Sequence, residues 1–184
     1  MAFWSSTDSK PMRNYRWQLS ISGYGDDSIV WWAKTVNVPS FDISEATHDY
    51  FDNKYYFPGR VTWSDVEVTL VDPVSPSAVS LTNMIIEKAG YNIPTKPGPK
   101  ETMSKLKSTT NGLGDVVLDL LDVDGNVKES WTLKNAFIKA AKFGDMDYTN
   151  DELRTVSLTI KYDWATCEID GVADPYYKAK EPLS

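Results

Sequence analysis

Arg154, Val156, Leu158, Ile160, Tyr162 and Trp164 alternate with Leu153, Thr155, Ser157, Thr159, Lys161 and Asp163, the period of two of a half-buried strand. One face is core and the other is presented to something. With the stretches before it, Trp131 to Trp164 reads as a three-strand meander. Tyr15 to Ser22 alternates in the same way, with Tyr15, Trp17, Leu19 and Ile21 inward and Arg16, Gln18, Ser20 and Ser22 outward. The turn sequence GYGDD follows, and Ile29 to Val36 is expected as the return strand.

Phe41 to Phe51, a turn at Asp52-Asn53-Lys54 and the strand beginning at Tyr55 predict a long hairpin. A third strand follows in which Val66, Val68 and Leu70 oppose Asp65, Glu67 and Thr69. The first arm of the hairpin is unusual. Glu45, Thr47 and Asp49 share a face with Ile43, while Asp42, Ser44 and His48 occupy the other. A strand polar on both faces beyond its middle is not buried inside one domain; it projects into solvent or pairs with another chain.

One helix is marked. Ser75 as N-cap, Pro76 at the first helical position and Gly90 after the last turn bracket it, with Ala78, Leu81, Ile85 and Ala89 on one face. Residues 91–114 then form a long loop rich in Pro, Gly, Lys and Thr without sustained period; loops of this length are functional or mobile. Asp115 to Asp122 and Val127 to Lys134 form a further hairpin across Asp124-Gly125. Asp122, Asp124 and Asn126 do not make a calcium loop, because Gly125 is fourth rather than sixth and the flanks are strands.

Composition changes the picture in three ways. In 184 residues, 41% hydrophobic and 12% aromatic with seven Trp and ten Tyr, there is material for one β-rich domain with a real core. A net charge of −7 argues against a nucleic-acid grip, which needs a cationic surface. A single cysteine, Cys167, excludes an internal disulfide framework and is compatible with a reducing cytoplasm. No apolar run reaches the length of a membrane span, and the first residues lack the cationic start and apolar stretch of a signal peptide.

The expected organisation is a single domain over 1–184, with an N-terminal arm at 1–12, the long loop at 91–114 and a tail at 165–184. The arm carries Phe3 and Trp4, which either pack on their own domain or dock on a neighbouring subunit. Catalytic material is sparse. His48 is the only histidine, so neither a triad nor a histidine-rich metal site can be assembled. Asp145 with Asp147, and Asp26 with Asp27, are acidic pairs that suit backbone hydrogen bonding in turns better than glycosidic chemistry. No phosphate-binding glycine loop is present; GYGDD has the wrong spacing and precedes a strand. The reading is a non-enzymatic protein with no cofactor and no metal.

The order of these elements resembles a family. RWQLSI, AKTVNVPSF, FPGRVTWSDVEVTLVD, one helix, a hairpin and the closing WTLKNAFIKAAKFGDMDYTNDELRTVSLTIKYDWA follow the pattern of the tube proteins of contractile phage tails. This T4-like tail tube family shares its fold with the Hcp tubes of bacterial injection machines. The resemblance spans Arg13 to Trp164, and its most specific pieces are Trp63-Ser64-Asp65 and Phe143 through Trp164. Residues 91–114 and the tail depart from it, leaving open a repeating tube subunit or a ring at the tube's end.

The resemblance implies a small β-barrel or sandwich of two packed antiparallel sheets flanked by one helix, assembled in six-membered rings. Stacked rings would form a tube that conducts DNA during ejection. Implied partners are other copies of the chain, the tail sheath protein, baseplate or tube-initiator and terminator proteins, and DNA passing without specific binding. The implied location is the virion, after synthesis in the host cytoplasm. Closing sheets across subunits removes edges, which suits strands polar on a presented face. Thr155, Ser157, Thr159 and Lys161, with Asp42, Ser44 and His48, are the candidate lumen residues, the alternative being that they face outer solvent. Phe3, Trp4, Glu45, Thr47 and Asp49 are the candidate contacts between subunits. Two other readings stand beside this one: an Hcp-type secretion tube, and a carbohydrate-binding β-sandwich module using Trp31, Trp32, Tyr55 and Tyr56.

Overall fold

The computed structural model describes residues 11–24, 32–75, 77–95, 97–98, 101–149, 151–172 and 174–177. Phe3 and Trp4, the acidic pair Asp26 and Asp27, Ile29 to Trp31, Pro76 and residues 178–184 lie outside that set. The fold is a sandwich of two open four-stranded antiparallel sheets with a separate two-stranded hairpin. Sheet A runs β1 (Trp17–Ile21), β6 (Val116–Leu121), β7 (Val127–Lys134), β10 (Trp164–Ile169). Sheet B runs β2 (Ala33–Val36), β5 (Val66–Val71), β9 (Thr155–Lys161), β8 (Phe137–Lys142). The hairpin is β3 (Phe41–Tyr50) with β4 (Asn53–Trp63). Within one chain the sheets do not close into a barrel among the described residues.

The core is built from the alternating positions. Val66, Val68 and Leu70 of β5 pair with Ile160, Leu158 and Val156 of β9, and all six are buried. They face Leu19 and Ile21 of β1, Val116 and Leu118 of β6, and Leu133 of β7 across the sandwich. Apolar residues at every second position thus bury one face of each sheet against the other.

The expected meander is divided between the sheets. β7 pairs with β6 and β10, whereas β8 pairs with β9. The chain crosses at Asn135, which takes a left-handed conformation at φ 56°, a geometry asparagine tolerates better than most residues, and the next residue, Ala136, is buried. β1 and β2 likewise do not form a hairpin; β1 pairs with β6 and β2 with β5. Tyr15 precedes the first strand and is exposed, not inward. Trp164 opens a new strand beyond Asp163 and is also exposed. The tail expected from residue 165 therefore begins inside sheet A, where Ala165 and Cys167 are buried against β7.

The helix α1 spans Ala78–Lys88 and its N-cap is Ser77, not Ser75. Asp72 displaces the cap: its carboxylate accepts from the Ala78 amide at 2.8 Å and the Ser77 hydroxyl at 3.1 Å, and an acid at this end also suits the helix dipole. Ala78, Ile85 and Ala89 are buried as expected. Leu81 is half-buried, and Thr82 takes the inner place with its hydroxyl donating to the Ala78 carbonyl at 2.7 Å. The 91–114 segment is not a bare loop. It carries a helical turn at Lys105–Lys107 and a π-helical turn at Ser108–Leu113, with Leu113 fully buried. Gly23 permits this packing, since a Cβ there would lie 2.2 Å from the Gly112 carbonyl oxygen.

Candidate assembly surface

The hairpin β3–β4 leaves the sandwich and is exposed along almost its whole length. Its turn is the pair Phe51-Asp52, one residue earlier than expected, with Phe51 at φ 52°. Cross-strand register assigns two faces. Phe41, Ile43, Glu45, Thr47 and Asp49 pair with Trp63, Val61, Pro58, Tyr56 and Lys54 on one. Asp42, Ala46, His48 and Tyr50 pair with Thr62, Phe57, Tyr55 and Asn53 on the other. The extra residue of a bulge sits opposite Ser44, whose hydroxyl accepts from the Arg60 amide at 2.9 Å. Gly59 is required there, because a Cβ would meet the Ser44 side chain at 2.4 Å.

Apolar surface changes face along the hairpin. Near the base it lies with Phe41, Ile43 and Val61; near the tip it lies on the opposite face with Ala46, Phe57, Tyr55 and Tyr50. Isolated two-stranded hairpins are marginal in water, and contiguous exposed apolar surface marks a contact site. From the sequence, Glu45, Thr47 and Asp49 are expected as contacts between subunits, Asp42, Ser44 and His48 as lumen residues, and Tyr55 and Tyr56 as candidate sugar-binding rings; Phe57 is not among the expected residues. The aromatic run Tyr55-Tyr56-Phe57 in an otherwise polar arm was the available signal.

The base of the hairpin is held firmly. Phe41 meets Trp63 edge-on at 5.1 Å between ring centroids, and Tyr177 approaches the same two rings at 5.7 and 5.5 Å. Trp131 of sheet A stacks on Tyr177 at 6.3 Å, so a segment after β10 bridges sheet A to the hairpin. Below this cluster, Asp65 receives Lys139 at 2.6 Å and Lys161 at 2.8 Å. These hydrogen-bonded cations hold the Asp65 carboxyl below its ordinary range. Burial, followed by the Asp65 charge, pushes the neighbouring Tyr162 hydroxyl up to about 12.

Thr155, Ser157, Thr159 and Lys161 share the outward face of sheet B, each partly exposed. Their partners on β5 include Val71, Thr69 and Glu67. Lys161 is pinned by Asp65 and donates to the Trp63 carbonyl at 3.2 Å. Asp42, Ser44 and His48 belong to a different sheet, so no hydrogen-bonded surface joins the two groups.

No catalytic arrangement emerges among the described residues. His48 is on the exposed hairpin. Cys167 is buried, and that burial pushes its thiol upward, away from the reactive thiolate. Asp147 accepts from the amide and hydroxyl of Thr149 at 2.9 and 2.8 Å, a turn role. Asp122 caps its own turn, accepting from the Asp124 and Asn126 amides at 2.7 and 3.0 Å. No group of three or more His, Cys, Asp or Glu among the described residues is placed to hold a metal ion. Tyr55 and Tyr56 point to opposite faces of β4, and Trp32 packs against the core, so these rings do not form one flat sugar platform.

No protein-family model matches the sequence, and no curated protein matches it. Solved structures do. A chain of the anti-feeding prophage baseplate, 6-fold symmetrised, is similar over 89% of this chain and 99% of its own, at TM-score 0.62 and 12% identity. A chain of the sheath-tube complex of the extracellular contractile injection system PVC matches over 90% and 99%, at TM-score 0.56 and 20% identity. A chain of the sheath/tube terminator of that system matches over 86% and 97%, at TM-score 0.55 and 15% identity. The two packed sheets, the projecting hairpin and these full-length likenesses give one conclusion: the chain has the tube-like fold of contractile-tail and contractile-injection proteins.

Proposed function

We propose that the chain is a structural subunit of a phage tail tube, forming stacked, hexameric rings whose lumen conducts DNA. The observation that carries this reading is the hairpin. It exposes Ile43, Val61, Phe57, Tyr55, Tyr50 and Phe51 well beyond a sandwich that is already packed, and such surface needs a partner. Further copies of the chain supply one. The likeness to chains in sheath-tube, baseplate and terminator assemblies supports the same self-assembly and partners of that kind: sheath, baseplate or initiator, and terminator.

In this reading Thr155, Ser157, Thr159 and Lys161 face the lumen, joined by Asp42, Ser44 and His48 from hairpins, while Glu45, Thr47 and Asp49 contact neighbouring subunits. Phe3 and Trp4 dock on an adjacent subunit. The hydroxyls of Thr155, Ser157 and Thr159 carry no charge, Glu67 beside them is acidic, and Lys161 is paired with Asp65. Among the described residues of this face Lys142, opposite Ser157, is then the cation left towards phosphate; a weak grip of this kind suits sliding DNA. The subunit acts in the virion. Negative-stain microscopy of the purified protein tests the assembly: hollow rings or tubes are expected, and a monomer that persists at high concentration overturns it.

A second reading, a ring at the tube's end, is favoured by the terminator likeness. It predicts single rings that do not stack, distinguishable in the same images by length.

A further inference from the structure

The two flanks of the sandwich differ in chemistry. On the flank where β1 and β2 lie at the sheet edges, a groove of about 340 Å³ opens between the sheets, floored by Trp17, Val36, Val38 and Leu118. Arg13 and Arg16 line it; Arg16 donates to the Tyr15 hydroxyl at 3.4 Å, and neither arginine makes an ion pair among the described residues. On the opposite flank, β8 is the other edge of sheet B. The connection from β8 to β9 leaves there with Met146, Tyr148 and Leu153 exposed at 75%, 110% and 72%. Asp145 precedes these apolar side chains, and Asp147 and Asp151 lie between them.

We propose that the β8–β9 connection of one copy seats in the Arg13–Arg16 groove of the next, closing the ring laterally. The inference rests on the ring reading above and names the contact between neighbours. A closed ring needs two different, complementary surfaces on each subunit; the groove borders the β2 edge of sheet B and the connection leaves from its β8 edge, at the other end of the strands. Their chemistry also matches: apolar side chains meet an apolar floor while carboxylates meet arginines. Sign complementarity matters here because chains of charge −7 otherwise repel one another. The occupant is a second copy rather than the same chain. Arg154 closes the connection at its own edge, donating to the Phe143 carbonyl at 3.4 Å and pairing with Asp72 at 3.2 Å. The groove lies beyond the far side of the sheet, three strand spacings of about 4.8 Å each away.

Two charge-reversed proteins test the contact, Arg13→Glu with Arg16→Glu, and Asp145→Lys with Asp151→Lys, each checked for folding by circular dichroism and sized by sedimentation velocity. Each alone is expected to lower the ring fraction at least tenfold relative to the parent. Mixing the two is expected to restore rings, because reversed groove then meets reversed connection and the unreversed pair meets as before. Parent rings with reversals that assemble normally, or with a mixture that stays dissociated, overturn this contact alone. A parent that never forms rings overturns the ring reading and this contact with it. If the arginine variant fails to fold, the exposed aspartate variant still decides, through its own loss of assembly and its rescue by Arg13→Glu alone.

Discussion

Lys161 Nζ lies 2.8 Å from Asp65 Oδ1, and the same ammonium donates to the Trp63 carbonyl. The last residue of the central strand β9 is thereby tied to the corner where the hairpin returns to the sandwich. Both partners are partly exposed, which keeps the pair modest in energy. Lys161→Ala is expected to cost no more than about 1 kcal/mol by urea denaturation while raising amide exchange at Trp63 and Ser64. Unchanged exchange there would separate the pair from the hairpin's anchorage.

Acid should loosen two corners together. Asp65 is held low by Lys139 and Lys161, and Asp163 by Lys105 and then Asn135. A carboxylate whose folded value is depressed contributes stability above its unfolded value of about 3.9 and loses it as pH falls through the folded value. Stability from these groups is therefore full at neutral pH and declines below about pH 4. Denaturation midpoints against pH should show that decline, and it should shrink in Asp163→Asn.

Tyr177 bridges sheet A and the hairpin base, meeting Trp131, Phe41 and Trp63. Aromatic pairs of this kind contribute about 0.5–1.5 kcal/mol beyond area burial. Tyr177→Ala should leave the sandwich folded and increase exchange at Phe41 and Trp63 selectively. A uniform change across all strands would argue for a general loss of stability instead.

Phe57 is 55% exposed and pairs across the hairpin with Ala46. Phe57→Ser should change monomer stability by only about 0.5 kcal/mol, as surface substitutions do, yet strongly reduce assembly seen by microscopy. Intact rings in this variant would remove the hairpin tip from the interface.

Leu158 sits in the middle of β9, 1% exposed and opposite Val68. Leu158→Ala should destabilise by about 2–5 kcal/mol, the cost of lost burial plus a cavity. Thermal unfolding measures it, and a small effect would show that the sandwich collapses around the site.

Strands whose alternation is strict could be read from the residues alone. Val66 to Leu70, Val156 to Ile160 and the hairpin arms from Phe41 are legible because a side chain on a strand has only two directions, and burial selects one. The exposed character of the hairpin was legible for the same reason, since Glu45, Thr47 and Asp49 rule out an interior. The two hairpins, β3 with β4 and β6 with β7, were legible from their turns, but pairing between strands not joined by a tight turn was not. Whether β7 joins β8 or β10 depends on Asn135 turning the chain and on Leu133 meeting Ala165, contacts between residues distant in sequence. Tyr177 against Trp131 and the groove between β1 and β2 are likewise long-range. Local pattern records which face of a strand is apolar; only tertiary packing decides which other surface that face meets, and which apolar side chains are left for a partner.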